Sequence, residues 1–226
     1  MMMTKSKFKK AISLLKNNFV ERARHFLSRF RKRKIKKDFC IISNNCWGGK
    51  VYQRFGKQYN SPTVGLYFFA DDYIRFLKNL DYYFGVELKI IPVEQSRYYE
   101  NLQKLNQTDV PIGRLDDVEI VFLHYKTGQE AIEKWNRRKS RVNKDCLIVK
   151  FSKMNGCTDN HLREFDRLEY EVKFAFNNER TKDLDSVLYI PGFDCCEQVL
   201  DDTTKYNSYV DLIKLINERK VVSKIF

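Results

Sequence analysis

The feature that most constrains the fold is a regular alternation, from Asp38 onward, between short apolar runs and segments of helical periodicity. Such alternation is typical of βαβ construction, in which helices cover a mostly parallel sheet. We expect strands near residues 39–43, 65–69, 87–91, 118–124, 147–151, 172–176 and 187–190, and helices near residues 71–84, 129–142, 158–168 and 206–219. The sequence therefore predicts an α/β fold, a single Rossmann-like three-layer domain with a mostly parallel sheet.

The clearest unit lies between residues 118 and 151, where an apolar strand, a charged helix and a second apolar strand follow one another. A crossover of this kind joins parallel strands and is right-handed. Residues 98–117 have no clear periodicity, and we interpret them as an irregular excursion and a candidate lid. A chain of 226 residues can bury one sizeable core. We therefore expect a single domain at 38–226, preceded by an N-terminal arm at 1–37.

The positive charge of the chain is concentrated in this arm. The whole chain has 42 Lys or Arg against 29 Asp or Glu, a net charge of +13. Residues 1–37 hold 14 of the basic residues and a single acid, Glu21, so residues 38–226 are formally neutral. Because counterion release needs basic side chains gathered along a binding face, we expect no specific nucleic-acid partner for the domain.

The arm has the pattern of a basic amphipathic helix. Apolar residues recur at steps of three or four, which places them on one helical face: Phe8, Ile12, Leu15, Phe19, Ala23, Phe26 and Phe30. With Lys and Arg opposite, the helix suits an anionic membrane surface, where the basic run at 31–37 adds roughly 1 kcal/mol per cation. Alternatively, the stripe packs on the domain, or the arm is a disordered tail that binds any polyanion.

The start of the chain has no uninterrupted apolar stretch, which argues against a cleavable signal or a spanning helix. We expect a cytoplasmic protein, peripheral at the inner face of the plasma membrane.

Without a secretory leader, the cysteines are expected to be reduced thiols: Cys40, Cys46, Cys146, Cys157, Cys195 and Cys196. No C-x-x-C pair occurs and the histidines lack zinc-type spacing, so we predict no metal site.

Two reactive side chains are predicted at strand ends. Cys46 follows the first strand and precedes a short helix expected at 50–55, while His124 ends the strand at 118–124. Ligands of open α/β sheets bind beyond the carboxyl ends of the strands, and a helix N-terminus stabilises a thiolate. We predict a catalytic Cys–His pair for acyl transfer, with Asn44, Asn45 or backbone amides as oxyanion donors. Alternatively, Cys46 is a small core residue and His124 a hydrogen-bonded fixture.

Trp47 is a candidate for substrate binding. Its indole could present a face to a sugar, and the glycines that follow it, Gly48 and Gly49, would allow close approach of the backbone. Alternatively, the tryptophan is buried and packs beside a turn.

Charged residues suggest two further interpretations. Lys126, Arg137, Arg138 and Arg141 surround the helix after His124, and arginine forks suit phosphate, although such a run is usually a solvated helix face. Asp183 and Asp185 could hold a divalent cation and a nucleotide diphosphate, although a solvated loop explains them equally well. No cofactor is certain, and an acyl donor or a sugar nucleotide is the expected co-substrate.

Four stretches together resemble one bacterial family. They are Ile-Ser-Asn-Asn-Cys-Trp-Gly-Gly at 42–49, Tyr-Asn-Ser-Pro-Thr-Val-Gly-Leu at 59–66, Asp-Val-Glu-Ile-Val-Phe-Leu-His-Tyr at 117–125 and Lys-Trp-Asn-Arg-Arg at 134–138. The family resembled is the exopolysaccharide biosynthesis family known as domain of unknown function 1919, over residues 39 to about 193. The resemblance implies a role in capsule or exopolysaccharide synthesis, without a reaction. Its motif positions are site candidates only: Asn44, Asn45, Cys46, Trp47, Ser61, His124, Trp135 and Arg138. Within the same stretches, Gly48, Gly49 and Tyr125 are also candidates for substrate binding.

These observations lead to three functional hypotheses. The first is a transferase that acylates a saccharide or lipid-linked saccharide intermediate through Cys46 and His124, with residues 1–37 on the anionic membrane surface. The second is a nucleotide-sugar-dependent glycosyltransferase that uses an Asp pair. The third is a non-catalytic scaffold of the polysaccharide synthesis machinery.

Overall fold

A computed structural model describes residues 27–28 and 30–225. The strands are β1 Cys40–Ser43, β2 Lys89–Ile91, β3 Ile112–Leu115, β4 Val118–Val121, β5 Leu147–Ser152, β6 Lys173–Asn177 and β7 Val187–Tyr189. The helices are α1 Trp47–Phe55, α2 Ala70–Lys78, α3 Leu80–Gly85, α4 Tyr99–Lys104, α5 Gly128–Lys139, α6 Asp159–Arg167 and α7 Leu212–Asn217. Two short 3-10 helices lie at Val93–Gln95 and Lys144–Cys146.

The central sheet is parallel and has the strand order β1-β5-β6-β7. Alternate side chains enter different cores, because successive residues of a strand point to opposite faces. Cys40 and Ile42 pack into one core with α2, α5 and α6. Ile41 packs into the other core with α1 and α7. The predicted α/β fold with a mostly parallel sheet and helices on both faces is confirmed.

A second, antiparallel sheet of order β2-β3-β4 was not predicted. β3 and β4 form a hairpin whose turn is Asp116 and Asp117, with Asp116 in the left-handed region at φ 54°. The expected parallel crossover between residues 118 and 151 is therefore wrong, because β4 pairs with β3 and not in the sheet of β5. The expectation of an irregular excursion at 98–117 is also wrong, since that segment contains α4 and β3. Its role as a lid stays a prediction.

Residues 65–69, predicted as a strand, instead connect the two sheets. Tyr67 makes an isolated antiparallel bridge with Val121, the last residue of β4, through hydrogen bonds of 2.9 Å in both directions. The next residue, Phe68, donates its backbone N–H to the Asn44 carbonyl, 3.0 Å away and just beyond β1. This segment therefore holds the end of β4 beside the carboxyl end of β1.

Three predicted helices differ in extent from those observed. The helix expected at 71–84 is divided into α2 and α3 at Asn79, whose φ of −142° and ψ of 52° are not helical. The helix expected at 206–219 begins only after Asp211, whose side chain accepts the N–H groups of Ile213 and Lys214. The helix expected at 50–55 begins earlier, at Trp47, so that Cys46 is its N-cap residue.

Most of the N-terminal arm, residues 1–26, lies outside the described residues, so the amphipathic membrane helix stays a prediction. The end of the arm contacts the domain. Lys36 donates its backbone N–H to Asn217 of α7 at 2.8 Å, and Asn217 donates back to the Lys34 carbonyl at 2.8 Å. Ile35 is buried in the core beside α7. No helix in the described part of the chain is long and apolar enough to cross a bilayer.

Candidate functional site

Cys46 lies where the chain leaves β1 and enters α1. The side chains before it fix this corner: the Ser43 hydroxyl donates to the Asn45 carbonyl at 2.7 Å, and the Asn45 side-chain oxygen accepts the Trp47 N–H at 3.1 Å. Gly48 packs its Cα against Ile41, where an added Cβ would lie only 3.0 Å from the isoleucine side chain. The corner is therefore rigid, and the position of Cys46 is determined by backbone packing.

His124 reaches the same region from the antiparallel sheet. It follows β4 by three residues, and its backbone N–H donates to the Gly65 carbonyl at 3.0 Å. Because residues 65–68 also contact Asn44, this bond places His124 near Cys46. The prediction that His124 ends a strand of the parallel sheet is wrong, yet the two predicted residues line the same cavities.

Two cavities adjoin along this edge. Asn45, Tyr67, Met154 and Asp202 are among the residues lining a cavity of about 280 Å³, which we call the Asp202 cavity. A second, of about 230 Å³, is lined by Gly49, Lys50, Tyr125 and Arg138 among others, and we call it the Tyr125 cavity. Cys46 and His124 line both. They therefore stand where the two cavities adjoin.

The Cys46 thiol is not activated in this structure. Burial raises its pKa to about 11, and nearby Lys50 only partly offsets that effect. Its sulfur lies 3.8 Å from the Leu66 carbonyl, to which the thiol can donate. No hydrogen bond joins Cys46 to His124 among the described residues. The expected stabilisation of a thiolate is not seen in the pKa of Cys46, because desolvation by burial is the largest influence on it.

We expect Cys46 to react slowly with iodoacetamide at neutral pH, because only the thiolate is nucleophilic. Its rate should rise about tenfold per pH unit until the pH approaches the pKa. The exposed Cys195 is the internal control, and both rates can be read from one digest by mass spectrometry. Rapid, pH-independent alkylation of Cys46 between about pH 7 and 9 would instead mean that the thiolate is already present.

The other predicted site residues divide into two groups. Asn45 lines the Asp202 cavity, and Gly49, Tyr125 and Arg138 line the Tyr125 cavity. Asn44, Trp47, Gly48 and Ser61 are buried and line neither. The Ser61 hydroxyl lies 3.0 Å from the Thr63 hydroxyl, which suits a structural role. Gly49 belongs to the first group because it lies in the first turn of α1, facing the Tyr125 cavity.

Trp47 packs inside the protein, as the alternative interpretation expected. Its ring makes edge contacts with Phe174 and Phe176 at centroid distances of 5.5 and 6.2 Å. Its Nε1 donates to the Tyr206 carbonyl at 3.1 Å. The indole therefore presents no face to a cavity, and a role in stacking on a sugar is not compatible with this position.

The side-chain amides of Asn44 and Asn45 are already engaged. Asn44 donates its Nδ2 to the Ser152 carbonyl at 3.2 Å, and Asn45 donates its Nδ2 to Asp202 at 2.8 Å. They are therefore unsuited as oxyanion donors without rearrangement. A further candidate is the backbone N–H of Gly49 in the first turn of α1, because the first N–H groups of a helix have no intrahelical acceptor.

A buried charged network next to Cys46 was missed by the sequence analysis. Lys150, in the middle of β5, and Asp202 are both fully buried and form an ion pair. The Lys150 ammonium also donates to Asn45 Oδ1 at 3.1 Å and to Ser152 Oγ at 2.5 Å. Burial lowers the pKa of Lys150, while the Asp202 carboxylate opposes that shift. The available signal was a lysine inside the otherwise apolar run Leu-Ile-Val-Lys-Phe at 147–151.

Other candidate sites in the described residues are less complete. No group of three or more His, Cys, Asp or Glu side chains that could hold a metal ion occurs there. Asp183 and Asp185 are exposed in the loop before β7. A larger cavity, about 650 Å³, lies at the opposite, amino-terminal edge of the sheet, near Leu147. Two ion pairs lie within its lining, Lys144 with Asp81 and Arg219 with Glu171.

Comparison with known proteins gives the family. The family described as "Domain of unknown function (DUF1919)" matches residues 17–224. The chain belongs to the DUF1919 family. The DUF1919 match extends beyond the stretch of residues 39 to about 193 seen in the motifs, and it includes the second half of the arm. A Haemophilus influenzae protein described as uncharacterized is 32% identical over 211 residues, which cover 90% of this chain and 96% of the relative.

Proposed function

We propose that this DUF1919 protein is a transferase of bacterial capsule or exopolysaccharide biosynthesis that acylates a saccharide intermediate. The observation that carries the proposal is the position of Cys46 and His124 at the junction of two cavities. A nucleophile and a base that share a substrate-sized space are the minimum requirement for covalent acyl transfer. Support for a saccharide substrate comes from the resemblance of the four sequence motifs to an exopolysaccharide family.

The first step would form an acyl-enzyme. The Cys46 sulfur attacks the carbonyl carbon of an acyl thioester donor, His124 takes the thiol proton, and collapse of the tetrahedral intermediate expels the donor thiolate, which His124 reprotonates. A base is needed because the pKa of Cys46, about 11, keeps the thiol protonated at neutral pH. The Gly49 N–H is the candidate donor to the oxyanion.

The second step would transfer the acyl group to the sugar. A sugar hydroxyl gives its proton to His124 and attacks the thioester carbonyl, the C–S bond breaks, and the Cys46 thiol is restored by the same proton. His124 is exposed, so its imidazole can adjust to either substrate. The site is thus used twice, once for each substrate.

The proposed setting is the inner face of the plasma membrane. The basic residues of the arm suit anionic lipid, and the docked contacts of Lys34 and Lys36 on α7 would hold the domain close to that surface. A lipid-linked saccharide would then be available where the domain lies.

The test is polysaccharide composition and linkage in cells whose only copy carries Cys46→Ala. We expect loss of one acyl substituent from an otherwise intact polymer. His124→Gln should have the same effect, because it removes the base from an exposed position and leaves packing unchanged. Cys195→Ala is the matched control, since Cys195 is also a free cysteine but is exposed elsewhere.

Protein level must be equal in all strains, so that misfolding does not imitate loss of activity. Loss of a sugar or of the whole polymer would favour the glycosyltransferase. An unchanged polymer in both variants would contradict the transferase proposal and return Cys46 to a packing role. A mass increase equal to one acyl group on the purified wild-type protein, but not on Cys46→Ala, would identify the intermediate directly.

A further inference from the structure

A third cavity extends the candidate site and is lined mainly by cations. It measures about 420 Å³ and is lined by Lys57, Gln58, Tyr59, Arg137, Arg138 and Arg141. We call it the arginine cavity. Its lining contains no carboxylate, and it shares Tyr59 and Arg138 with the Tyr125 cavity. A continuous surface therefore leads from three arginines to Cys46 and His124.

Arg138 is the buried centre of this surface. It is only 8% exposed, although a buried guanidinium usually needs a carboxylate partner. Its Nη1 donates to the Val64 carbonyl at 3.0 Å and to the Tyr125 hydroxyl at 2.5 Å. It also lies 4.9 Å from the centre of the Tyr59 ring. Within the described residues its Nε and Nη2 make no hydrogen bond, and Arg138 forms no ion pair.

The neighbouring cations are also available for an anion. Arg137 is exposed and Arg141 is half-buried, and neither pairs with a carboxylate in the part of the chain that the structure describes. The one hydrogen bond of the Arg141 guanidinium goes to the Tyr59 carbonyl, at 3.4 Å. Lys57 is the exception, because it pairs with the exposed Asp38 at 3.2 Å. Unpaired arginines gathered around one concave surface indicate an anionic ligand.

We propose that the arginine cavity binds the diphosphate of the substrate, so that the acceptor is a sugar diphosphate ester whose sugar extends toward Cys46. The inference rests on the proposed transferase function and names its substrate class. A diphosphate suits the cavity better than a single carboxylate does, because it offers several oxygens and more than one negative charge to planar arginine forks. Tyr59 and Tyr125, along the path to Cys46, provide ring surface for the sugar.

The first experiment measures binding of inorganic pyrophosphate by calorimetry at constant ionic strength. The test variant is Arg137→Ala/Arg141→Ala, which removes two cations without removing a fully buried side chain. The control is Arg163→Ala/Arg167→Ala on α6, which removes the same charge from exposed positions outside the arginine and Tyr125 cavities. We expect Kd to rise about tenfold for each arginine that contacts phosphate, and to stay within about twofold in the control.

A second variant, Arg138→Lys, separates charge from geometry. It keeps the positive charge but loses the planar set of N–H donors of the guanidinium, so pyrophosphate binding should still weaken. The far-UV circular dichroism spectrum should be unchanged. Absence of pyrophosphate binding by the wild type would overturn the proposal. Equal weakening in the test and control variants would do so as well, because it would mean general electrostatic attraction.

Two larger ligands distinguish the sources of the diphosphate. Farnesyl diphosphate binding more tightly than UDP would indicate a lipid-linked sugar, and the reverse order would indicate a nucleotide sugar. Either order supports the diphosphate assignment, provided that both ligands lose affinity in Arg137→Ala/Arg141→Ala.

Failure of this inference is distinguishable from failure of the proposed function. Cys46→Ala should bind pyrophosphate as the wild type does, because its thiol does not line the arginine cavity. Normal pyrophosphate binding with an unchanged polymer in Cys46→Ala would preserve the diphosphate site and reject the acyl transfer. Loss of the acyl substituent in Cys46→Ala, together with no pyrophosphate binding by the wild type, would support the acyl transfer and reject the diphosphate site.

Discussion

Replacing Lys150 with methionine is expected to lower the free energy of unfolding by about 3–5 kcal/mol, because it leaves the Asp202 carboxylate buried without its cation. The methionine side chain fills much of the space of the lysine stem, so the loss reports the charge more than the packing. Asn45 and Ser152 still donate to Asp202, but these neutral bonds do not replace the ammonium. Urea denaturation at neutral pH measures the change.

The double variant Lys150→Met/Asp202→Leu tests this explanation. A buried ion pair can often be replaced by apolar residues at little cost, whereas loss of one partner is expensive. We therefore expect the double variant to be more stable than Lys150→Met alone. If the effects of the two substitutions on the free energy of unfolding were simply additive, loss of the ion pair would not explain the lower stability of Lys150→Met. A single-variant loss below about 1 kcal/mol would mean that Asp202 reaches water or is protonated once Lys150 is gone.

The second large effect is expected at Trp47. Trp47→Ala should lower the free energy of unfolding by about 3–5 kcal/mol, because the indole is fully buried and its removal leaves a cavity between α1 and β6. It also leaves the Tyr206 carbonyl without the Nε1 donor. Trp47→Phe should cost less, because a ring still contacts Phe174 and Phe176. Both values can be obtained by chemical denaturation.

The level of polymer acylation distinguishes the structural role of Trp47 from a role in stacking on a sugar. Since Trp47 lines neither the Asp202 cavity nor the Tyr125 cavity, Trp47→Phe should acylate the polymer at the wild-type level when its folded fraction is equal. A normal stability with loss of the acyl substituent would contradict the buried position. Tyr59→Leu is a useful comparison, because it removes a ring that does line the path to the arginine cavity.

Cys46 and His124 could each be identified from the sequence, but the reason for their proximity could not. Each residue was found from its local pattern, a polar residue directly after an apolar strand. Their proximity was inferred from a shared parallel sheet, and that reasoning is wrong because β4 belongs to the antiparallel sheet. The contact that brings them together is the segment at 65–68, which pairs once with Val121 and once with Asn44. Nothing in its own periodicity distinguishes such a connector from a strand.

The sequence by itself determined what depends on neighbours along the chain. The apolar runs of β1, β5 and β6, the helical stripe of α5 with its Thr127 cap, and the place of Cys46 at a helix start all follow from short-range patterns. Hydrophobic periodicity and capping act over three or four residues, so the order of residues is sufficient to reveal them.

Only the tertiary structure decided which strands pair, and which polar groups lose water. The pairing of Tyr67 with Val121, the burial of Lys150 with Asp202 and the packing of Arg138 on Tyr59 each join segments far apart in the chain. The raised pKa of Cys46 has the same origin, because desolvation depends on everything packed around the thiol. Short-range patterns place a side chain on an element, and the packing of distant elements then determines its environment and its chemistry.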